Sequence, residues 1–140
     1  EKGVELARPM VASLPIDEDR KANILHCIRA HRFRKPPLPE TAEARVLFDA
    51  DKLDAIGAVG VARAYLFAGE VGARLHNPDV DVEKTQPYSR EDTGFREFKV
   101  KLSKIKACLL TREGARMAEK RHAFMAAFFE RLQAEHTGNV

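Results

Sequence analysis

Apolar positions recur every three or four residues through almost the whole chain, and the polar positions between them fall where the outer face of a helix lies. No stretch alternates apolar and polar residues as a half-buried strand does, and no segment repeats, so the pattern predicts an all-α fold. A first helix is expected from Lys2 to Leu14, with Pro9 either kinking it or marking a late start. Asp17 can cap a second helix through His31, and the three prolines between Arg34 and Pro39 mark a connecting loop. Thr41 or Glu40 opens a third helix to about Ile56. A fourth follows from Ala58 to Ala68 and ends near Gly69 and Gly72. Residues 76–92 are polar, carry two prolines and offer few apolar anchors, which predicts a long loop and the most mobile internal segment. The stripe Phe95, Phe98, Leu102, Ile105 and Leu109 predicts one further helix, and Thr111 caps a long final one through Glu135.

A chain of 140 residues that is 44% hydrophobic suits a single domain, residues 1–140, with a real core. Its 24 basic residues exceed its 21 acidic ones only slightly and are spread along the chain. That balance permits small anionic partners such as nucleotides but gives no nucleic-acid footprint. Cys27 and Cys108 follow no disulfide-type pattern and read as free thiols of a reducing compartment, so a cytoplasmic location is expected. No apolar run approaches the roughly 18 residues of a membrane span, which argues against membrane partners. Phosphate-binding and dinucleotide-type glycine patterns are absent, as is a GxSxG elbow.

Candidate chemistry concentrates in residues 48–65, FDADKLDAIGAVGVARAY. At helical period, Val46, Ala50, Leu53, Gly57 and Gly60 form one apolar face of mostly small residues, with Asp51 and Asp54 together beside it. The two glycines suggest a close backbone approach or a break between helices. An acid in DxxD spacing is usually solvated or paired, here with Lys52 or Arg63. At a crowded helix junction a carboxylate instead needs donors or a cation to offset its desolvation, and a divalent ion does so most strongly. Arg63 can reach a phosphate or pair with Asp54, and these alternatives stay open. Arg121 falls inside the apolar series of the last helix, which predicts a covered stem and an internal ion pair. His26 and His31, five residues apart, stand about 140° apart on a helix and do not chelate one ion together. His31 lies on the inward stripe with Ile24, Cys27 and Ile28, where a histidine bonded to backbone and a ligand are both open readings.

The same stretch resembles the final motif of the HD-domain metal-dependent phosphohydrolases. The likeness continues through ILHCIRAHRF at 24–33 and TAEARVLFDADKLDAIG at 41–57. It extends to GAVGVARAYLFAGEVGARL and to FREFKVKLSKIKACLLTREGARMAEKRHAFMAAFFERL, which are similar to the carboxyl-terminal helices of the nucleotide-hydrolysing bacterial subgroup. The resemblance covers nearly the whole chain and implies a helical bundle whose metal is held by a histidine, a His-Asp doublet and a distant aspartate. On that pattern Asp51 is the metal ligand, Lys52 its accompanying base and His31 a second catalytic residue, with Asp49 and Asp54 in supporting roles. Independently of that pattern, Arg63 after the small-residue run and Arg34 in the basic loop cluster with Arg32 and Lys35 are the candidates to meet the substrate's phosphates. The cofactor implied is a divalent ion: manganese, iron, nickel, zinc or magnesium. No His-Asp doublet occurs in these residues, so the expectation is the carboxyl-terminal part of such a domain, with its amino-terminal helices missing. The implied activity is hydrolysis of phosphoester or phosphoanhydride bonds in nucleotides. The alternative is a degenerate HD module that binds nucleotides or supports homo-oligomerisation without catalysis.

Overall fold

Four helices of this chain start at a side-chain oxygen supplied for that purpose. Asp17, Thr41, Thr93 and Thr111 each sit in extended backbone and accept the N–H three residues on, which satisfies one of the amides a helix start leaves without a partner. The computed structural model describes residues 2–32 and 36–139, and within them the chain forms α1 (Lys2–Ala12), α2 (Glu18–Ala30), α3 (Ala42–Asp54), α4 (Gly57–Glu70), α5 (Gly94–Val100) and α6 (Arg112–Thr137). Short 3-10 helices occupy Val82–Lys84 and Leu102–Cys108, and there is no strand among the described residues. The fold is all-α, as the periodicity predicts. No helix among the described residues is long and apolar enough to cross a membrane. Cys27 and Cys108 are free thiols.

The long α6 is the spine. Both α3 and α4 pack on it, while α1 packs on α2 and α2 on α3. The core gathers Leu53 and Ile56 from the end of α3, Val61 and Ala64 from α4, and Leu102 and Ile105 from the second 3-10 helix. Against them lie Ala118, Met125 and Phe129 of α6. Phe129 stacks on Phe98 at 4.4 Å between ring centroids and meets Phe128 edge-on at 5.2 Å. Full burial of side chains such as Ile56 and Met125 contributes about 1.5–3 kcal/mol each.

Between α3 and α4 both readings of the two glycines hold. Gly57 has φ +82°, a left-handed conformation that lets the chain turn sharply out of α3. Gly60 lies so close to the preceding turn that a Cβ there would stand 2.3 Å from the Ala55 carbonyl oxygen. Break and close approach are one corner.

One expectation needs correcting and another gains detail. The stripe from Phe95 to Leu109 is not one helix: α5 stops at Val100, and Leu102–Cys108 winds as a 3-10 helix. A spacing of three fits both helix types, because residues three apart eclipse in a 3-10 helix, so Leu102 and Ile105 are buried in either. Residues 76–92 form the expected long loop apart from the 3-10 turn Val82–Lys84, with Val82 the one buried apolar anchor. His76, Asn77 and Asp92 are buried as well, so most of its anchors are polar. Asn77 donates to the Glu91 carbonyl and carboxylate at 3.1 Å each and accepts from the Thr93 hydroxyl at 2.6 Å.

Candidate functional site

Successive residues of a helix point about 100° apart, so the four charged side chains near the end of α3 are sent to different neighbours. Asp49 points inward to α6. Its carboxylate is buried and accepts from the Leu110 and Thr111 amides at 2.8 Å each and from the Thr111 hydroxyl at 2.6 Å. A carboxylate at a helix N-terminus is favoured by the orphan amides and the helix dipole together. Gly114 leaves room for it: a Cβ there would lie 2.2 Å from Asp49 Oδ2. Asp49 is therefore a structural tie between α3 and the start of α6.

Lys52 points to α2. Its side chain is 9% exposed, and Nζ donates to Asp51 Oδ2 at 2.6 Å and to the His31 carbonyl oxygen at 3.2 Å. The ammonium also lies 4.6 Å from the centroid of the Phe48 ring. Asp51 is 53% exposed, so one buried cation fixes a carboxylate that otherwise faces outward. His31 caps the C-terminus of α2, and its Nδ1 is 2.7 Å from the Ile28 carbonyl. That contact requires a proton on Nδ1 and leaves Nε2 as the nitrogen able to accept or bind. The backbone-bonded reading of His31 is thus realised, and Lys52 brings its carbonyl into one chain of contacts with Asp51.

Asp54, one turn after Asp51, forms an ion pair with Arg63 of α4 at the surface, both side chains 61% exposed. Of the two partners open to Arg63, Asp54 is the one it holds here. Arg34 lies outside the described residues. The Arg121 stem is covered, lying over Gly57, but the expected ion pair is replaced by a hydrogen bond from its guanidinium to the Leu53 carbonyl. The Leu53 carbonyl otherwise accepts from the Ile56 amide, at 3.3 Å, and a carbonyl oxygen has a second lone pair for a buried donor. His26 Nε2 accepts from the Glu40 amide at 3.1 Å and pins the loop before α3.

The residues in place do not make a metal site by themselves. No group of three or more His, Cys, Asp or Glu among the described residues is placed to hold an ion, and the Asp51 carboxylate already carries the Lys52 ammonium.

Two cavities flank α3 and α4. One of about 460 Å³ lies between α3 and α6, lined by Asp49, Leu53, Met117 and Arg121 among others. The larger, about 720 Å³, lies between α4 and α5 beneath residues 87–92. Neither is lined by Asp51 or His31, so what those two residues share is the Lys52 ammonium, not either of these cavities. The larger cavity was missed from sequence, because its walls come from segments some 20 to 40 residues apart.

No family model matches the chain. It is 33% identical over 129 residues to the uncharacterized protein YpgQ of Bacillus subtilis (strain 168), a match covering 88% of this chain and 56% of the relative. The chain thus spans a little over half the length of that curated relative. The crystal structure of YpgQ superimposes with a TM-score of 0.76 at 29% identity over 98% of this chain and 66% of the other, and YpgQ has also been solved in complex with ADP. An HD-superfamily hydrolase from Bacillus thuringiensis superimposes with a TM-score of 0.77 at 26% identity, over 96% of this chain and 63% of the other. This is the fold of an HD-domain protein. The resemblance seen in residues 41–57 is therefore matched by the whole helical arrangement, and Asp51 occupies the end of α3 within it.

Proposed function

We propose that the protein is a metal-dependent phosphohydrolase acting on nucleotides, with Asp51 one ligand of its divalent ion and the remaining ligands outside these 140 residues. The observation that carries this reading is the outward-facing Asp51 carboxylate held by the buried Lys52 ammonium, whose second bond is to the His31 carbonyl. The ADP complex of the related YpgQ supports a nucleotide as the substrate class. The length of that relative beyond the matched segment leaves room for further ligands. In this reading Lys52 orients Asp51 and offsets phosphate charge, His31 Nε2 is available to bind or accept a proton, and Arg63 and Arg34 grip phosphate oxygens. The free thiols fit a cytoplasmic enzyme.

The test compares the protein as its gene encodes it with its Asp51→Asn variant on a panel of nucleoside triphosphates, with manganese and with chelator. Hydrolysis in the unaltered protein, abolished by chelator and lowered at least about 100-fold by the substitution with an unchanged melting temperature, is expected, because an amide keeps the shape but binds cations poorly. The 140 residues alone should be inactive. The lack of a three-ligand cluster among the described residues favours one second reading, a nucleotide-binding module. Tight nucleotide binding without turnover in the encoded protein would select it.

A further inference from the structure

The larger cavity has features the Asp51 cluster does not use. Its volume, about 720 Å³, falls in the range of small-molecule sites. Two aromatic rings stand at its wall, Phe67 of α4 and Tyr88, in edge-to-face contact at 5.7 Å between centroids. Tyr88 is 75% exposed, so most of its ring is uncovered. It is also the only non-glycine residue among those described with a positive φ, at 59°. A bulky side chain seldom adopts that conformation, and such strain persists only where surrounding contacts enforce it. The enforcing contact is the buried Asp92 carboxylate, which accepts from the Tyr88 amide at 2.6 Å. Asp92 is itself fixed by Arg96 at 2.8 Å, and the Arg96 guanidinium also donates to the Thr85 hydroxyl at 2.6 Å and the Thr85 carbonyl at 3.1 Å. The polar network beneath the cavity thus holds one aromatic ring out at its edge.

The charges select the ligand. Arg63, Arg96 and Lys101 along the wall are matched by Glu70, Asp92 and Glu97, a balance that suits a neutral, planar group with donors for carboxylates rather than a polyanion. The anionic end has a place nearby. Arg63 lines the cavity and pairs with Asp54, which stands one turn, about 4.5 Å of helix rise, beyond Asp51; Phe67 is one turn, about 6 Å, beyond Arg63. We propose that this cavity receives the nucleoside part of the substrate, its base stacked on Tyr88, while the phosphates extend past Arg63 toward Asp51. The proposal rests on the nucleotide reading of the Asp51 site.

Calorimetric titration of the protein with adenosine, and separately with inorganic pyrophosphate, tests it against three variants. Adenosine should bind saturably, about tenfold more weakly in Tyr88→Ala and in Tyr88→Gly but normally in Tyr88→Phe, while pyrophosphate binding is the same in all four proteins. The glycine variant relaxes the left-handed backbone and the alanine variant does not, so equal losses assign the effect to the ring. No adenosine binding, or binding unchanged by loss of the ring, overturns the proposal. Hydrolysis separates this from the parent reading. Active enzyme whose KM ignores Tyr88→Ala sinks the cavity alone. Ring-dependent adenosine binding in a protein that cannot hydrolyse nucleotides sinks the hydrolase reading and leaves the cavity standing.

Discussion

The α1–α2 arm and the α4–α6 bundle are both helical, yet they are held by different forces. The bundle buries a continuous set of large side chains around Met125 and Phe129. The arm buries only Val4, Val11 and Ala30 and leaves Leu6, Met10 and Leu14 exposed. Polar side chains also tie it to α3. The Thr41 hydroxyl donates to Asn23 at 2.7 Å, the Asn23 amide donates to Glu43 at 3.2 Å, and Lys52 donates to the His31 carbonyl. Hydrogen bonds depend on position more sharply than apolar burial does, but each contributes less net stability. The Asp51 cluster lies on the seam between the two regimes, where orientation is well defined and little core is at stake.

Substitutions can break that contrast. Phe129→Ala should have the largest effect, destabilising by about 3–5 kcal/mol in urea unfolding, because it opens a cavity among stacked rings. A loss below 1 kcal/mol would mean that the bundle is not the main source of stability. Asp49→Ala comes next, at about 2–3 kcal/mol, since it strands two amides and a hydroxyl at the start of α6. Asn23→Ala, in the arm, should cost only about 1 kcal/mol and should lower protection of α2 amides from hydrogen exchange more than that of α6 amides. Equal effects on both helices would erase the distinction.

A pH series sharpens the comparison at the edge of the bundle. Burial pushes the His76 imidazole below its usual 6.5, with the neighbouring His136 acting in the same direction and Gln133 and Asp79 opposing. The folded state therefore binds fewer protons than the unfolded chain around that pH. The stabilisation is complete above about pH 6.5 and is lost as the pH falls below it. Melting temperatures from pH 8 to pH 5 should fall in the acid range for the unaltered protein, and His76→Gln should flatten that dependence. Matching slopes would count against the buried histidine.

The sequence is most legible where local chemistry decides. The caps at Asp17, Thr41 and Thr111 lie where their side chains announce them, and the break at Gly57 follows from a residue type suited to left-handed backbone. Legibility fails where the partner is distant. Residues 76–92 are legible as a loop, but their polar anchors are not, since Asn77 and Asp92 are buried against partners that no local pattern names. At the site, the contact between Lys52 and the His31 carbonyl was not foreseen, since a backbone acceptor leaves no mark in the sequence. The same blindness turned the predicted Arg121 ion pair into a bond with the Leu53 carbonyl.

The three bonds of Asp49 reach across 61 and 62 residues, and this has a kinetic meaning. Closing so long a loop costs chain entropy before any bond is gained, so contacts of this kind form late. The opening turn of α6 thus owes its last stabilisation to the arrival of a helix made far earlier in the chain. In refolding followed by pulsed amide labelling, the Leu110 and Thr111 amides should gain protection together with α3 docking and after the middle of α6, making them reporters of the moment at which the two halves of the fold join.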